Sequence, residues 1–245
     1  MLGYRARIGY TAPVSAVESF AYEFYKMVPE GVTLVVATAP TGLGETSDNE
    51  FPLGVPRGKK TYEASEAVAR EMAQAGVSIV VVGGASPAFG LDRLDQQARA
   101  LEQEFGIQVT NTREAQLHAL REVGAKRIGL VTPGAITEQA GIDRFAADGF
   151  EVVGVAGAGY TYSDFGSCPT DAPAQVARRL LAEHPEADSV FFAAPHWPAA
   201  SNVEVLEQEL GRNMITSTQA IVWEALRRCQ INDSIPGFGR LLREH

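Results

Sequence analysis

The chain has 245 residues, 45% of them hydrophobic, and a formal net charge of −9. That length buries a sizeable core as one large domain or two small ones, and no apolar run approaches the roughly 18 residues a membrane helix needs. The acidic balance, with no Lys/Arg cluster beyond Arg57-Gly58-Lys59-Lys60, speaks against nucleic acid, and two cysteines, Cys168 and Cys229, make no disulfide framework.

Arg5 to Ala12 reads as a short strand ending at Pro13, with no apolar signal-peptide core before it, so a cytoplasmic location is expected. Ser15 can cap a helix to Met27 with apolar positions at Val17, Phe20, Ala21 and Phe24, and Val32 to Thr38 follows as a buried strand. Pro40 to Gly58 is a long Gly, Pro, Asp and Asn stretch, either a lid over a pocket or an excursion without a role. Glu45 and Asp48 within it are possible bases. Helix Thr61 to Ala75 stops at Gly76, and the apolar run to Val82 is a strand buried on both faces. It breaks into Gly83-Gly84-Ala85-Ser86-Pro87, where glycines let N–H groups approach a ligand and Ser86 adds a hydroxyl. Helix Leu91 to Phe105 and strand Ile107 to Val109 lead to Thr110-Asn111-Thr112, a cap for the helix to Val123.

The pattern then restarts. Arg127-Ile128-Gly129 to Pro133 repeats Arg7-Ile8-Gly9 to Pro13, and Val190 to Pro198 echoes the strand and turn at Val80 to Gly90. Between them lie helix Thr137 to Ala147, strand Phe150 to Val155, a loop from Gly157 to Pro173, and helix Ala172 to Glu183. Ile215 to Ala220 repeats Val109 to Glu114 in direct register, and Ala225-Leu226-Arg227 repeats Ala119-Leu120-Arg121. Echoes in the same order indicate an internal duplication. The predicted fold is α/β, with two pseudo-symmetric parallel lobes and a ligand cleft between them. The expected boundaries are 1–112 for the first lobe and 113–218 for the second, with 219–245 packing back on the first.

Facing strand ends would then supply Pro13, Gly84, Ala85, Ser86, Thr110 and Asn111 from one lobe. The other would supply Thr132, Pro133, Ala194, Pro195, Ser217 and Thr218. Hydroxyls and N–H groups at helix starts suit a carboxylate, and no Lys or Arg in these loops favours a phosphate. His196 has the intrinsic pKa for proton transfer, or is an edge histidine wedged between Pro195 and Trp197. Tyr160 and Tyr162 could cover a ligand or donate a hydrogen bond, and Asp164 could serve as a base; the alternative is an ordinary polar loop. His118, His184, His196 and His245 are too scattered for a metal set, so neither metal nor other cofactor is expected.

In this order the motifs resemble the aspartate/glutamate racemase superfamily, in its maleate isomerase and arylmalonate decarboxylase branch. The Ile-Gly…Pro start, Gly-Gly-Ala-Ser, the Thr-rich caps and the tail Ile235-Pro236-Gly237-Phe238-Gly239-Arg240-Leu241-Leu242 carry the resemblance. It implies chemistry through a planar enolate-like intermediate, worked on by one cysteine per lobe. The first of those positions falls on Gly84, a glycine in the decarboxylase branch too, and the second on Ala194. Neither Cys168 nor Cys229 takes the vacant place. The resemblance therefore implies a lyase, decarboxylase or isomerase acting on a small carboxylate without the two-cysteine machinery. A thiol-free hydrolase and a non-catalytic carboxylate-binding protein are the alternatives, and a homo-oligomer is expected.

Overall fold

The computed structural model describes residues 2–12, 17–38, 59–83, 91–134 and 138–245. Pro13, Gly84, Ala85, Ser86 and the 40–58 stretch with Glu45 and Asp48 lie outside the described residues.

The first lobe is a four-stranded parallel sheet of order β2-β1-β3-β4, formed by Ala6–Ala12 (β1), Val32–Thr38 (β2), Ile79–Val82 (β3) and Gln108–Asn111 (β4). The second repeats it as β6-β5-β7-β8, from Arg127–Thr132 (β5), Glu151–Gly157 (β6), Ser189–Phe192 (β7) and Asn213–Thr216 (β8). Every residue of β3 and β7 is buried, which follows from helices covering both faces of a parallel sheet and explains their unbroken apolar runs. The edge strands β2 and β6 are largely half-buried. Helices Glu18–Met27 (α1), Lys59–Gln74 (α2), Leu91–Phe105 (α3) and Thr112–Glu122 (α4) belong to the first half. Glu138–Ala146 (α5), Ala172–Glu183 (α6), Val203–Leu210 (α7), Ser217–Arg228 (α8) and Gly239–Glu244 (α9) complete the second.

Residue pairing shows the duplication directly. Ile8 faces Ile79 as Ile128 faces Ser189, and Thr11 faces Val82 as Val131 faces Phe192. One alignment read from sequence is corrected. Asn111 and Thr216 are the equivalent caps: Asn111 accepts from the Glu114 N–H (2.9 Å) and Thr216 from the Gln219 N–H (3.0 Å). The direct register paired Thr216 with Thr110 instead, one residue out. At the far end, Val123 and Cys229 cap the two helices alike, as the Ala-Leu-Arg echo implies. The helix α8, at 12 residues against 11 for α4, absorbs the slip. Two helices also escaped the sequence reading. The eight-residue α7 shows only Val203 and Leu206 to the core, too short a pattern to stand out. The six-residue α9 has its first N–H groups taken by the α7 carboxylates: Gly239 donates to Glu204 (2.8 Å) and Arg240 to Glu207 (2.7 Å).

Three apolar clusters hold the molecule. One lies on the outer face of each sheet, and the largest spans both lobes, from Ile8, Tyr10 and Phe20 through Leu120 to Ile128, Phe191, Ile221 and Leu242. The centre of that shared core is the α4–α8 pair, and α8 also packs on α1 and β3. A polar seam runs along its edge. His118 Nδ1 lies 3.2 Å from both Glu224 carboxylate oxygens, and Arg228 Nε donates to Glu224 at 2.7 Å. The Glu224 hydrogen bond raises the His118 pKa above its ordinary value. A histidine raised in the folded state adds stability that is complete below its unfolded pKa, about 6.5, and is lost as pH rises through the folded value. His118→Gln should therefore cost more stability at pH 6 than at pH 9, as urea unfolding at the two pH values will show; equal losses would mean the pair carries no linked proton.

Candidate functional site

The carboxyl ends of the central strands are where a parallel sheet presents ligand-binding loops. In the first lobe the Gly83 N–H at the end of β3 is held twice by Thr11, through its carbonyl (3.0 Å) and its hydroxyl (2.9 Å). In the second, the Ala193 N–H donates to the Val131 carbonyl at 2.8 Å. The helices that follow β4 and β8 begin with matched anchors: Thr112 Oγ1 donates to the Val82 carbonyl (3.3 Å) and Ser217 Oγ to that of Phe192 (3.2 Å). Gln116, one turn into α4, donates through Nε2 to Ser217 Oγ at 3.0 Å, so the starts of α4 and α8 meet at one place between the lobes.

The hydroxyls expected to bind a carboxylate are buried and engaged with the protein itself. Thr132 donates to the Gly134 carbonyl (2.7 Å), Ser217 to that of Phe192, and Thr218 to that of Pro195 (3.4 Å). Thr110 sits one residue short of the strand end and turns its hydroxyl to Glu114, at 3.2 Å. Asn111 caps α4. These groups shape the floor of the cleft by fixing strand-end carbonyls, and Ser217, Thr218 and Pro195 are gathered together. The sequence reading had no signal for Thr11 or Gln116, whose partners are 72 and 101 residues away.

The wall of the second lobe is the 157–170 loop. The Ala158 N–H binds the Thr132 carbonyl and the Tyr160 N–H that of Pro133, both at 2.9 Å. Burial foremost, and then the neighbouring Cys168, raise the Tyr160 pKa, so the phenol stays protonated and serves as a donor. Burial likewise raises the Cys168 thiol, the reverse of what a thiolate nucleophile requires. Tyr162 opens a short 3₁₀-helix, Tyr162–Ser167, and its side chain is outside the described residues. Asp164 closes a capping box: its Oδ2 accepts from the Thr161 N–H (2.8 Å) and hydroxyl (2.7 Å), which hold the carboxyl below its usual range. That shift is opposite to what a general base needs at neutral pH, so Asp164 orders the loop.

Beyond β7, Ala194 takes a left-handed φ of 67°, a conformation that costs a non-glycine residue about 1 kcal/mol or more and concentrates at functional turns. Ala194→Gly should raise stability by up to about 1 kcal/mol, measurable by thermal unfolding; a drop would show that the methyl group's packing outweighs the strain. The segment then dives into the core. His196 is 2% exposed and Trp197 fully buried, with the indole Nε1 donating to the Ala193 carbonyl at 2.9 Å. Asn202 Nδ2 ties the segment to the 157–170 loop through the Thr170 carbonyl, at 2.8 Å. From the first lobe, Glu23 of α1 reaches across and accepts the Ser201 N–H at 3.0 Å. No group of three His, Cys, Asp or Glu able to hold a metal occurs among the described residues, and none of their helices is long and apolar enough to cross a membrane.

No curated protein matches the chain. Among solved structures, arylmalonate decarboxylase superposes with a TM-score of 0.79 at 20% identity, over 98% of this chain and 100% of that one. Maleate cis-trans isomerase of Nocardia farcinica, captured with a covalently bound succinylcysteine intermediate, gives 0.75 at 19% over 98% and 99%. The maleate isomerase of Pseudomonas putida S16 gives 0.76 at 17%, over 98% of each chain. These likenesses show the two-lobed fold. The arylmalonate decarboxylase family model matches residues 58–242, well over half of the sequence, and the chain therefore belongs to the arylmalonate decarboxylase family.

Proposed function

We propose that the protein is a cofactor-independent enzyme that makes or breaks a bond at the carbon beside a small substrate's carboxylate, through an enolate-like intermediate and without a thiol at either strand end. The observation that carries this reading is Ala194. The resemblance puts the second-lobe cysteine at this position, and its strained backbone marks the mouth of β7. An alanine forms no covalent adduct of the kind seen in the Nocardia isomerase, so decarboxylation or proton transfer is favoured over covalent cis–trans isomerisation. His196, two residues on, is the proton-transfer group. Tyr160 donates a hydrogen bond to the developing oxyanion, together with N–H groups of the strand ends; a preorganised donor of this kind is worth roughly 10²–10³ in rate.

The test is incubation with a panel of 2-substituted malonates and maleate in deuterated water, followed by NMR. Loss of CO₂ with deuterium at the α-carbon is expected, and Cys168→Ser and Cys229→Ser should each keep turnover within about threefold, because neither thiol is a proton carrier here. Collapse of turnover in Cys168→Ser would restore a thiol mechanism supplied from the 157–170 loop. Release of an alcohol or amine from ester or amide analogues would make the protein a hydrolase, and binding without turnover a carboxylate-binding protein.

A further inference from the structure

Glu23 is a fully buried carboxylate on the lobe boundary that the proposed reaction does not use. It projects from α1 between Phe20, Phe24 and Met27, all buried, in the midst of the core. Its Oε1 accepts the Ser201 N–H, while Oε2 is buried with no hydrogen-bond partner. Ser201 begins the turn Ala200–Asn202 that leads straight into α7 and closes the segment carrying Ala194, His196 and Trp197. The second lobe holds that segment at Pro195, Trp197 and Asn202; the first lobe holds it through Glu23. An oxygen buried without a partner is costly when the group is neutral and much more so when it is charged.

We propose that Glu23 is a proton-operated latch between the lobes: neutral, it seats the His196 segment against α1, and ionised, it releases that segment toward solvent. Glu23 is thus a positioning residue, and that role for the reaction rests on the function proposed above. Burial foremost, opposed by the Ser201 and Ala200 N–H groups and Lys26, pushes its pKa up to about 7. Other charges on the packed elements are engaged elsewhere. Asp164 of the 162–167 helix faces Thr161, and on α8 Glu224 and Arg228 pair with each other beside His118. Arg227 of α8 holds the tail carbonyls of Ile231 and His245, and β2 carries no charged residue. Because the seated state favours the neutral carboxyl, closure takes up a proton, and each pH unit above the folded pKa shifts the closed-to-open ratio by at most about tenfold.

The two tryptophans permit a direct measurement. In Trp223→Phe protein the emission of Trp197 is followed from pH 5 to 9. A one-proton transition centred about 7 is expected, retained when His196→Gln is added and abolished by Glu23→Gln. A second reading is urea unfolding: Glu23→Gln should gain stability relative to its parent between pH 5 and pH 8, because glutamine mimics the neutral form. No transition in the Trp223→Phe protein, its survival in Glu23→Gln, its loss in His196→Gln, or a Glu23→Gln stability difference independent of pH would each overturn the latch. Neither measurement needs substrate, so failure of the carboxylate-enzyme reading in the malonate panel leaves the latch standing or falling on its own result.

Discussion

His196→Ala is expected to lower turnover on whichever carboxylate the wild type processes by roughly 10²–10⁴, the usual cost of removing a general acid or base. The imidazole lies in a segment held on both sides, by the Trp197 indole on the Ala193 carbonyl and by the Thr218 hydroxyl on that of Pro195. Such rigidity lets a proton-transfer group keep its aim. The substitution leaves these two anchors in place, so the variant should fold, with far-UV circular dichroism unchanged. A His196→Ala protein at full rate would pass the proton to Tyr160, whose phenol remains protonated in its half-buried site. The pH profile alone does not identify the group. A limb at about 6 to 7 is what a histidine gives, and Glu23 titrates at about 7, so the limb must be read in His196 and Glu23 variants together.

Phe191→Ala is expected to destabilise the protein by about 3–5 kcal/mol, a large share of the 5–15 kcal/mol that holds an ordinary domain. Phe191 is fully buried in β7 and meets Phe145 edge-on, with ring centroids 5.4 Å apart. Its cluster belongs to both lobes at once, so the wild type should unfold in one cooperative step, and the variant should lower that whole transition by on the order of 10 °C. Differential scanning calorimetry reads both quantities. Two separated transitions in the wild type, or a loss below about 1 kcal/mol, would mean that the lobes are stable independently and that Phe191 serves only its own sheet.

The repeat could be read from sequence because it is written in local chemistry. Buried parallel strands need unbroken apolar runs, helices between them need periodic ones, and glycine or proline marks each exit; Val80 to Val82 and Val190 to Phe192 show all of this within a few residues. The same local rules set the N-caps Asn111 and Thr216, but not their equivalence. A one-residue slip in the α4–α8 alignment became visible only when each cap could be seen accepting its own N–H. Hydroxyl partners were beyond reach for a related reason. Thr132, Ser217 and Thr218 are the right chemical type to bind a carboxylate, yet each donates to a strand-end carbonyl whose position depends on how the chain returns.

Glu23 stood in plain view, an acid on the apolar stripe Phe20, Phe24, Met27, and an acid on such a stripe is a signal that periodicity alone does not interpret. The sequence by itself determined two parallel α/β lobes and the strand ends that build the cleft, since these follow from the spacing of apolar residues along the chain. Which hydroxyls are engaged, how α4 and α8 align, and that a carboxylate of one lobe holds the His196 segment of the other were decided by the tertiary structure alone, because hydrogen-bond partners are chosen by distance in space, and Glu23 meets Ser201 across 178 residues of chain.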